Sequence, residues 1–375
     1  MNQESRTAYG QVGLDRSYVT CTKVWDRELL TIFRRHWLCV GLESEFTTTS
    51  ITPFVYLGQQ LLAVRGDDGR LRVFRNFCRH RGSLLVTAEE CASVGQRLQC
   101  PYHAWTYDRQ GCLVAAPNMD GVPGFEKQRF GLFEVPSAIE AGFLWLCFEP
   151  RESLQSFLAP LQTVIHDWQV HELRQGAEIR YDVRANWKLL FQNYSECYHC
   201  PTVHPALNRL TPYLGSANSL EAGPILGGPM QLADSCQTMS NEGQWVGTPL
   251  PRLNANQQRE VHYFTVFPSL FLSVHPDYVL IHRLEPTGPQ ATKVICQFLF
   301  QQGDLDRFGF DPEPAVRFWD LTNRQDWEVC ERSQLGMEDP AYVPGPYSNL
   351  ESIVAAFDRH YLQALSASET AIKPV

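Results

Sequence analysis

The residues of this chain best suited to chemistry fall into two groups. The first is Cys78 and His80 in "FCRHRG" with Cys100 and His103 in "LQCPYHAW", a Cys-x-His followed by a Cys-x-x-His. The second is His199 and His204, five residues apart in "NYSECYHCPTVHP", with Glu196 three residues before the first histidine. Thiolates and imidazoles are good donors to transition metals, so both groups read as metal sites.

Two cysteines and two histidines can hold tetrahedral zinc or a Rieske [2Fe–2S] centre, where two histidines replace two cysteines on one iron. Zinc fingers usually group Cys with Cys and His with His, whereas each loop here contributes one of each. That pairing suits the iron–sulfur cluster better. In the second group, a carboxylate added to two histidines would complete the facial triad of non-haem iron(II) oxygenases, which leaves positions open for dioxygen. Asp326 in "TNRQDWEVCE" is the candidate; Asp320 is the near competitor, with Glu328 and Glu331 behind it. Glu196, at i−3 from His199 on one helical face, suits a hydrogen-bond partner of that histidine better than a ligand. Pro201 and Pro205 place the end of the helix near Cys200. Cys197 and Cys200 lie at that end, away from the dipole that acidifies thiols at a helix start, and read as buried, unreactive thiols.

The elements that position these residues change along the chain. Residues 23–37, "KVWDRELLTIFRRHW", have the apolar spacing of an amphipathic helix. From 38 to 150, short β-rich runs such as "QLLAV", "LRVFR" and "GFLWLCF" alternate with turn signals such as "GDDG" and "DRQG", the pattern of a small all-β domain. Residues 151–370 are mixed. "IRYDVRANWKLL" runs from strand to helix, 261–300 holds three strand-like runs, and helices are expected over 315–334 and 350–365. The whole is an α+β chain, with an antiparallel sheet and packed helices in its second domain.

A chain of 375 residues is expected to hold two domains. Its net charge of −9 argues against a nucleic-acid partner. No apolar stretch is long enough to span a bilayer and no signal peptide is visible, so a soluble, cytoplasmic protein is expected. Twelve cysteines in so long a chain do not suggest a disulfide scaffold.

The motifs "CRHRG" and "CPYHAWTYD", then "NWK", "NYSECYHCPTVHP" and the Asp326 helix, resemble in order the α subunits of Rieske non-haem iron (ring-hydroxylating) oxygenases over roughly 23–365. The resemblance implies a Rieske β domain followed by a helix-grip catalytic domain. It also implies that Cys78 and Cys100 bind the inner iron of the cluster, His80 and His103 the outer one, and His199, His204 and Asp326 a mononuclear iron. Family members commonly form trimers, and a separate NAD(P)H-dependent flavin/iron–sulfur reductase supplies their electrons. The bridging acid before the first histidine is usually Asp; Glu196 here is similar to the branch acting on quaternary ammonium compounds, as are "HPDYVLIHRLEP" and residues 323–348.

The resemblance implies a substrate hydroxylated with dioxygen, and demethylated where the carbon is an N-methyl group. A trimethylammonium group would seek aromatic faces, and Trp245, Tyr263, Phe264, Phe267 and Phe271 lie in the region expected to line the pocket. Neutral aromatics would use the same residues. The alternatives are therefore a dioxygenase forming cis-diols on aromatic rings, or a Rieske electron carrier without oxygenase chemistry.

Overall fold

The computed structural model describes residues 11–46, 51–87 and 97–366. They form two compact units, one running from Trp37 to Leu154, the other joining the chain up to His36 with the chain from Gln155 onward.

The unit from Trp37 to Leu154 is built of short antiparallel strands. Strands β1 (Leu38–Leu42), β2 (Ile51–Tyr56), β3 (Gln59–Arg65) and β4 (Leu71–Arg75) precede β5 (Leu98–Gln99), β6 (Thr106–Tyr107) and β7 (Leu113–Ala115); β8 (Glu134–Val135), β9 (Ser137–Glu140) and β10 (Phe143–Leu146) follow. They pair as β2-β3-β4-β8, β1-β10-β9 and β5-β6-β7. Leu62, Val64, Phe74, Leu98, Trp105 and Tyr107 are buried together, and Cys78 and Cys100 belong to the same core.

The other unit is a six-stranded antiparallel sheet with helices. Its strands are β11 (Arg174–Val183), β12 (Ile225–Gln231), β13 (Glu260–Val266), β14 (Leu270–Val274), β15 (Val279–Gly288) and β16 (Ala291–Phe300), in the order β11-β16-β15-β14-β13-β12. The run 261–274, expected as one strand, is two. Phe267–Pro268–Ser269 turns the chain, since proline has no N–H for the ladder. At Gly227 (φ +133°) a β-carbon would meet the Tyr263 carbonyl oxygen at 2.0 Å, so only glycine lets β12 approach β13 there.

The helices are α1 (Ser17–Thr20), α2 (Thr22–Glu28), α3 (Leu154–Ile165), α4 (Trp187–Tyr194), α5 (Cys200–Val203), α6 (Pro205–Leu210), α7 (Gln302–Leu305), α8 (Glu313–Glu338) and α9 (Ser352–Ser366). The expected helix over 23–37 is thus shorter. It continues from α2 as a π-helical turn over Leu29–Phe33, and it belongs to the unit that carries the large sheet. Asn186 caps α4, its side chain accepting from Lys188 N at 3.0 Å. Glu28 of α2 is fully buried and receives Lys188 Nζ at 2.5 Å, the Tyr361 hydroxyl at 2.6 Å and Trp187 Nε1 at 3.0 Å, tying α2 to α4 and α9. None of the helices among the described residues is long and apolar enough to cross a membrane.

Candidate metal centres and active site

The two cysteine–histidine loops of the smaller unit share one backbone pattern. Cys78 N donates to Ser83 O and Gly82 N to Cys78 O; Cys100 N donates to Trp105 O and Ala104 N to Cys100 O. The fourth residue after each cysteine takes a positive φ, +74° at Gly82 and +57° at Ala104, which closes each loop tightly over its cysteine. The thiols are buried and the imidazoles exposed. The His80 and His103 ring centroids lie 4.7 Å apart, and His80 stacks on Trp105 at 4.9 Å. Burial pushes the Cys78 thiol pKa up, while the Tyr107 hydroxyl, 3.4 Å from its sulfur and receiving Arg79 N, favours the thiolate. Two buried thiols and two outward imidazoles on paired loops suit a two-iron cluster with one inner and one outer iron.

The second site forms where the segment after α4 meets α8. Helix α4 ends at Tyr194, and Ser195 caps it with its hydroxyl back-bonded to Phe191 O at 2.6 Å. This corrects the helix end expected near Cys200. Glu196 through His199 form a turn, and α5 and α6 each begin at a proline-containing first turn. The cysteine reading is also corrected. The turn folds Cys197 back onto Cys200, with Cα atoms 4.9 Å apart, and the two form a disulfide.

Donor atoms of His199, His204 and Asp326 all lie within 4.8 Å of one another. Asp326 Oδ1 is 2.8 Å from His204 Nε2 and 3.3 Å from His199 Nε2. The outer nitrogens are occupied: His199 Nδ1 donates to Glu196 Oε1 at 2.5 Å and His204 Nδ1 to Gln325 Oε1 at 2.8 Å. With their Nδ1 protons held, both rings turn Nε2 inward, the arrangement that orients metal-binding histidines. The other Glu196 oxygen accepts from the Tyr198 and His199 backbone N–H groups. Asp320 is instead bonded by the Tyr181 hydroxyl and Arg324; Glu328 pairs with Arg332 and Glu331 with Arg184. Two imidazoles and one carboxylate with matched outer partners fit a mononuclear iron.

Burial works against a charged His199, yet hydrogen bonds to Asp326 and Glu196 outweigh it and raise its pKa to about 10 in the metal-free chain. Burial likewise opposes the Asp326 charge, and the two histidines overcome it, lowering that pKa to about 2. Iron must therefore displace a proton from His199 below pH 10. Iron(II) affinity is expected to rise about tenfold per pH unit between pH 7 and 9 as one proton is released. Metal titrations across that range check this; an affinity that does not change with pH would contradict it.

A cavity of about 870 Å³, its mouth included, opens on these groups. Tyr194, Tyr263, Trp319 and Met230 line it. The ring centroids of Tyr194 and Tyr263 are 6.2 Å apart at 77°, and those of Tyr263 and Trp319 6.3 Å apart at 67°. Of the expected pocket aromatics Tyr263 borders this cavity. Phe264 points from the other face of β13, Phe267 packs among Trp187, Phe191 and His360, and Phe271 stacks behind Tyr194 at 4.3 Å. Trp245, half-buried, is also off its wall. Sequence reasoning missed Tyr194, Trp319 and Gln325. Trp319 stands seven residues before Asp326, two helical turns along one face, and Gln325 is its neighbour in "RQDWE".

Residues 170–367 match the family model for the ring-hydroxylating α subunit (catalytic domain), and residues 36–126 that for the Rieske [2Fe–2S] domain. The chain therefore belongs to the ring-hydroxylating oxygenase α-subunit family, in which a Rieske [2Fe–2S] domain accompanies a catalytic domain that binds mononuclear iron. It is 29% identical over 380 residues to the glycine betaine monooxygenase oxygenase subunit of Chromohalobacter salexigens, covering 92% of this chain and 83% of that one. The carnitine monooxygenase oxygenase subunit of Escherichia coli K12 is 32% identical over 196 residues, 51% of this chain and 52% of that one. The fold matches that of the quaternary ammonium Rieske monooxygenase CntA with a TM-score of 0.79 at 20% identity, over 96% of this chain and 97% of that one. It matches naphthalene 1,2-dioxygenase from a Rhodococcus species with a TM-score of 0.72 at 20% identity, over 95% of each chain.

Proposed function

We propose that this protein is the terminal oxygenase of a multicomponent system that hydroxylates an N-methyl group of a small quaternary ammonium compound. The observation that carries the proposal is the cavity that Tyr194, Tyr263 and Trp319 line together with His199, His204 and Asp326. Aromatic side chains lining such a cavity can attract a cation that cannot donate hydrogen bonds, through the ring quadrupole. Relatives named for glycine betaine and carnitine support the same substrate class. Hydroxylation of the methyl carbon gives a carbinolamine, which loses formaldehyde and leaves the demethylated amine.

In this proposal Cys78, His80, Cys100 and His103 hold the cluster, and His199, His204 and Asp326 hold the iron. When bound, the two centres supply electron transfer and dioxygen activation. The chain's own part is to hold both histidines by Nδ1, keep the carboxylate ionised and seat the methyl group before the open face of the site. Electrons come from a separate NAD(P)H reductase. A homotrimer would bring the exposed His80 and His103 of one subunit to Glu196 of the next. A cytoplasmic setting is part of the proposal.

Glu196→Gln is the variant that probes the bridge. An amide cannot accept both from His199 Nδ1 and from the backbone N–H groups, so one of these contacts is lost together with the charge. The cluster is expected to stay, and at saturating iron(II) the iron too, while turnover falls about 100-fold, the upper range for partners of metal ligands. Iron content, cluster absorbance and turnover with the reductase check this; wild-type turnover would remove the bridge from the scheme.

A single-turnover assay tests the proposal as a whole. Reduced, iron-loaded protein is exposed to oxygen with betaines, carnitine, choline and simple aromatics. Stoichiometric formaldehyde from an N-methyl compound is expected. A diol from an aromatic, with no formaldehyde from any amine, would overturn the reading.

A further inference from the structure

The Asp326 carboxylate sits on α8, so its place in the iron site depends on how that helix is turned about its own axis. A side chain reaches about 5–6 Å from a helix axis, and a 20° rotation at that radius moves a carboxylate by about 2 Å. Metal–ligand distances tolerate about 0.2 Å. Apolar packing is non-directional and sets rotation poorly; a buried, directional contact sets it well.

Asn323, three residues before Asp326 and 3% exposed, makes such contacts. Its Oδ1 accepts from His282 Nε2 at 3.1 Å, while its Nδ2 donates to the Tyr181 hydroxyl at 3.3 Å and lies 3.5 Å from Cys296 Sγ. These partners stand on β15, β11 and β16, three neighbouring strands, and His282 and Cys296 are paired across the β15–β16 ladder. The Tyr181 hydroxyl also donates to Asp320 Oδ1 at 2.8 Å, one turn earlier on the same helix. Among the described residues Gln325, next to Asp326, bonds only His204, itself a residue of the iron site; the links from α8 to the sheet and to α4 other than those of Asn323 lie farther along the helix, at Asp320, Cys330 and Glu331 and beyond. Trp319 Nε1 donates to the Tyr278 hydroxyl at 2.7 Å and Gln334 accepts from Asn186 N at 2.9 Å. Burial keeps His282 neutral, so it has one N–H to give, and Asn323 Oδ1 receives it.

We propose that Asn323, held by His282 and Tyr181, is a positioning residue that sets the rotation of α8 and with it the place of Asp326 in the iron site. It touches neither metal nor substrate. The proposal rests on the assignment of Asp326 as a ligand and is independent of what the substrate is.

Asn323→Leu keeps the volume and removes every polar contact. Iron(II) affinity is expected to fall about 10- to 100-fold, the range found when partners that orient ligands are lost. The EPR spectrum of cobalt(II) bound in place of iron should change, and kcat should fall with KM nearly constant, while cluster absorbance stays at the wild-type level. His282→Leu should reproduce these effects, and His282→Gln, which retains a donor, should restore most of the affinity. A purely structural role would lower the melting temperature and leave the metal affinity and the cobalt spectrum as in wild type; that result for Asn323→Leu overturns the proposal. Should Asn323→Leu fail to fold, the His282 pair decides, and wild-type iron affinity in His282→Leu overturns it equally. Loss of the wild-type chain's own iron affinity on Asp320→Ala, with none lost on Asp326→Ala, would instead refute the ligand assignment beneath it.

Discussion

Asp326→Ala protein is expected to purify with about two irons per chain where the wild type holds about three, since the two-iron cluster does not involve this residue. The carboxylate is the only anionic donor within the His199–His204–Asp326 group, and both Nε2 atoms converge on its Oδ1. Without it the two imidazoles retain their orienting contacts to Glu196 and Gln325 but lose the charge that balances a divalent cation. Loss of an outer partner costs 10- to 100-fold in metal affinity, so loss of the ligand itself should exceed that, with turnover falling about 1,000-fold or more. Asp320→Ala is the control, because Asp320 is engaged by Tyr181 and Arg324 and should leave the third iron in place. Iron counting with cluster absorbance makes the distinction. A third iron retained in Asp326→Ala would mean that the metal has another carboxylate.

Glu28→Ala should have the largest effect on stability. Glu28 and Lys188 are both fully buried at 2.5 Å, and Trp187 Nε1 and the Tyr361 hydroxyl complete the carboxylate's hydrogen bonds. Removing one member of such a pair strands the other charge and costs about 3–5 kcal/mol, although the intact pair itself adds little over an apolar equivalent. Burial already lowers the Lys188 pKa against the pull of Glu28, which marks how unfavourable an uncompensated ammonium would be there. A double variant, Glu28→Gln with Lys188→Met, should recover much of the loss because no buried charge is left behind. Urea unfolding midpoints measure both. An unchanged midpoint for Glu28→Ala would show that water or another group solvates Lys188.

The candidate metal donors are legible in the sequence because few residue types bind metals and their spacing is dictated by loop closure. Cys-x-His with Cys-x-x-His needs nothing from the rest of the chain to be noticed. The long amphipathic α8 was equally readable, and Asp326 stood out on it. The pocket was not readable, for a geometric reason. Phe264 and Tyr263 are neighbours in sequence, yet a strand sends them to opposite faces, and the register that decides which one meets the cavity is set by β12 and β14. Phe271 was close to the site, but behind Tyr194. The Glu196 turn reads as helix in the sequence because prolines commonly end helices, whereas Pro201 and Pro205 start α5 and α6 after α4 has ended at Tyr194.

The division of the chain also bears on the order in which the protein can be made. The unit from Trp37 to Leu154 is continuous, so all of its contacts are available once that stretch has left the ribosome. The other unit is interrupted. Glu28 meets Tyr361, which lies 333 residues later, and at 5–20 residues per second that partner is synthesised roughly 15–70 s after it. During this interval α1 and α2 have emerged without the helices that cover them, while Cys78, His80, Cys100 and His103 are all present. Cluster insertion can therefore precede completion of the iron domain, and α1 and α2 dock late, after α9 has been made.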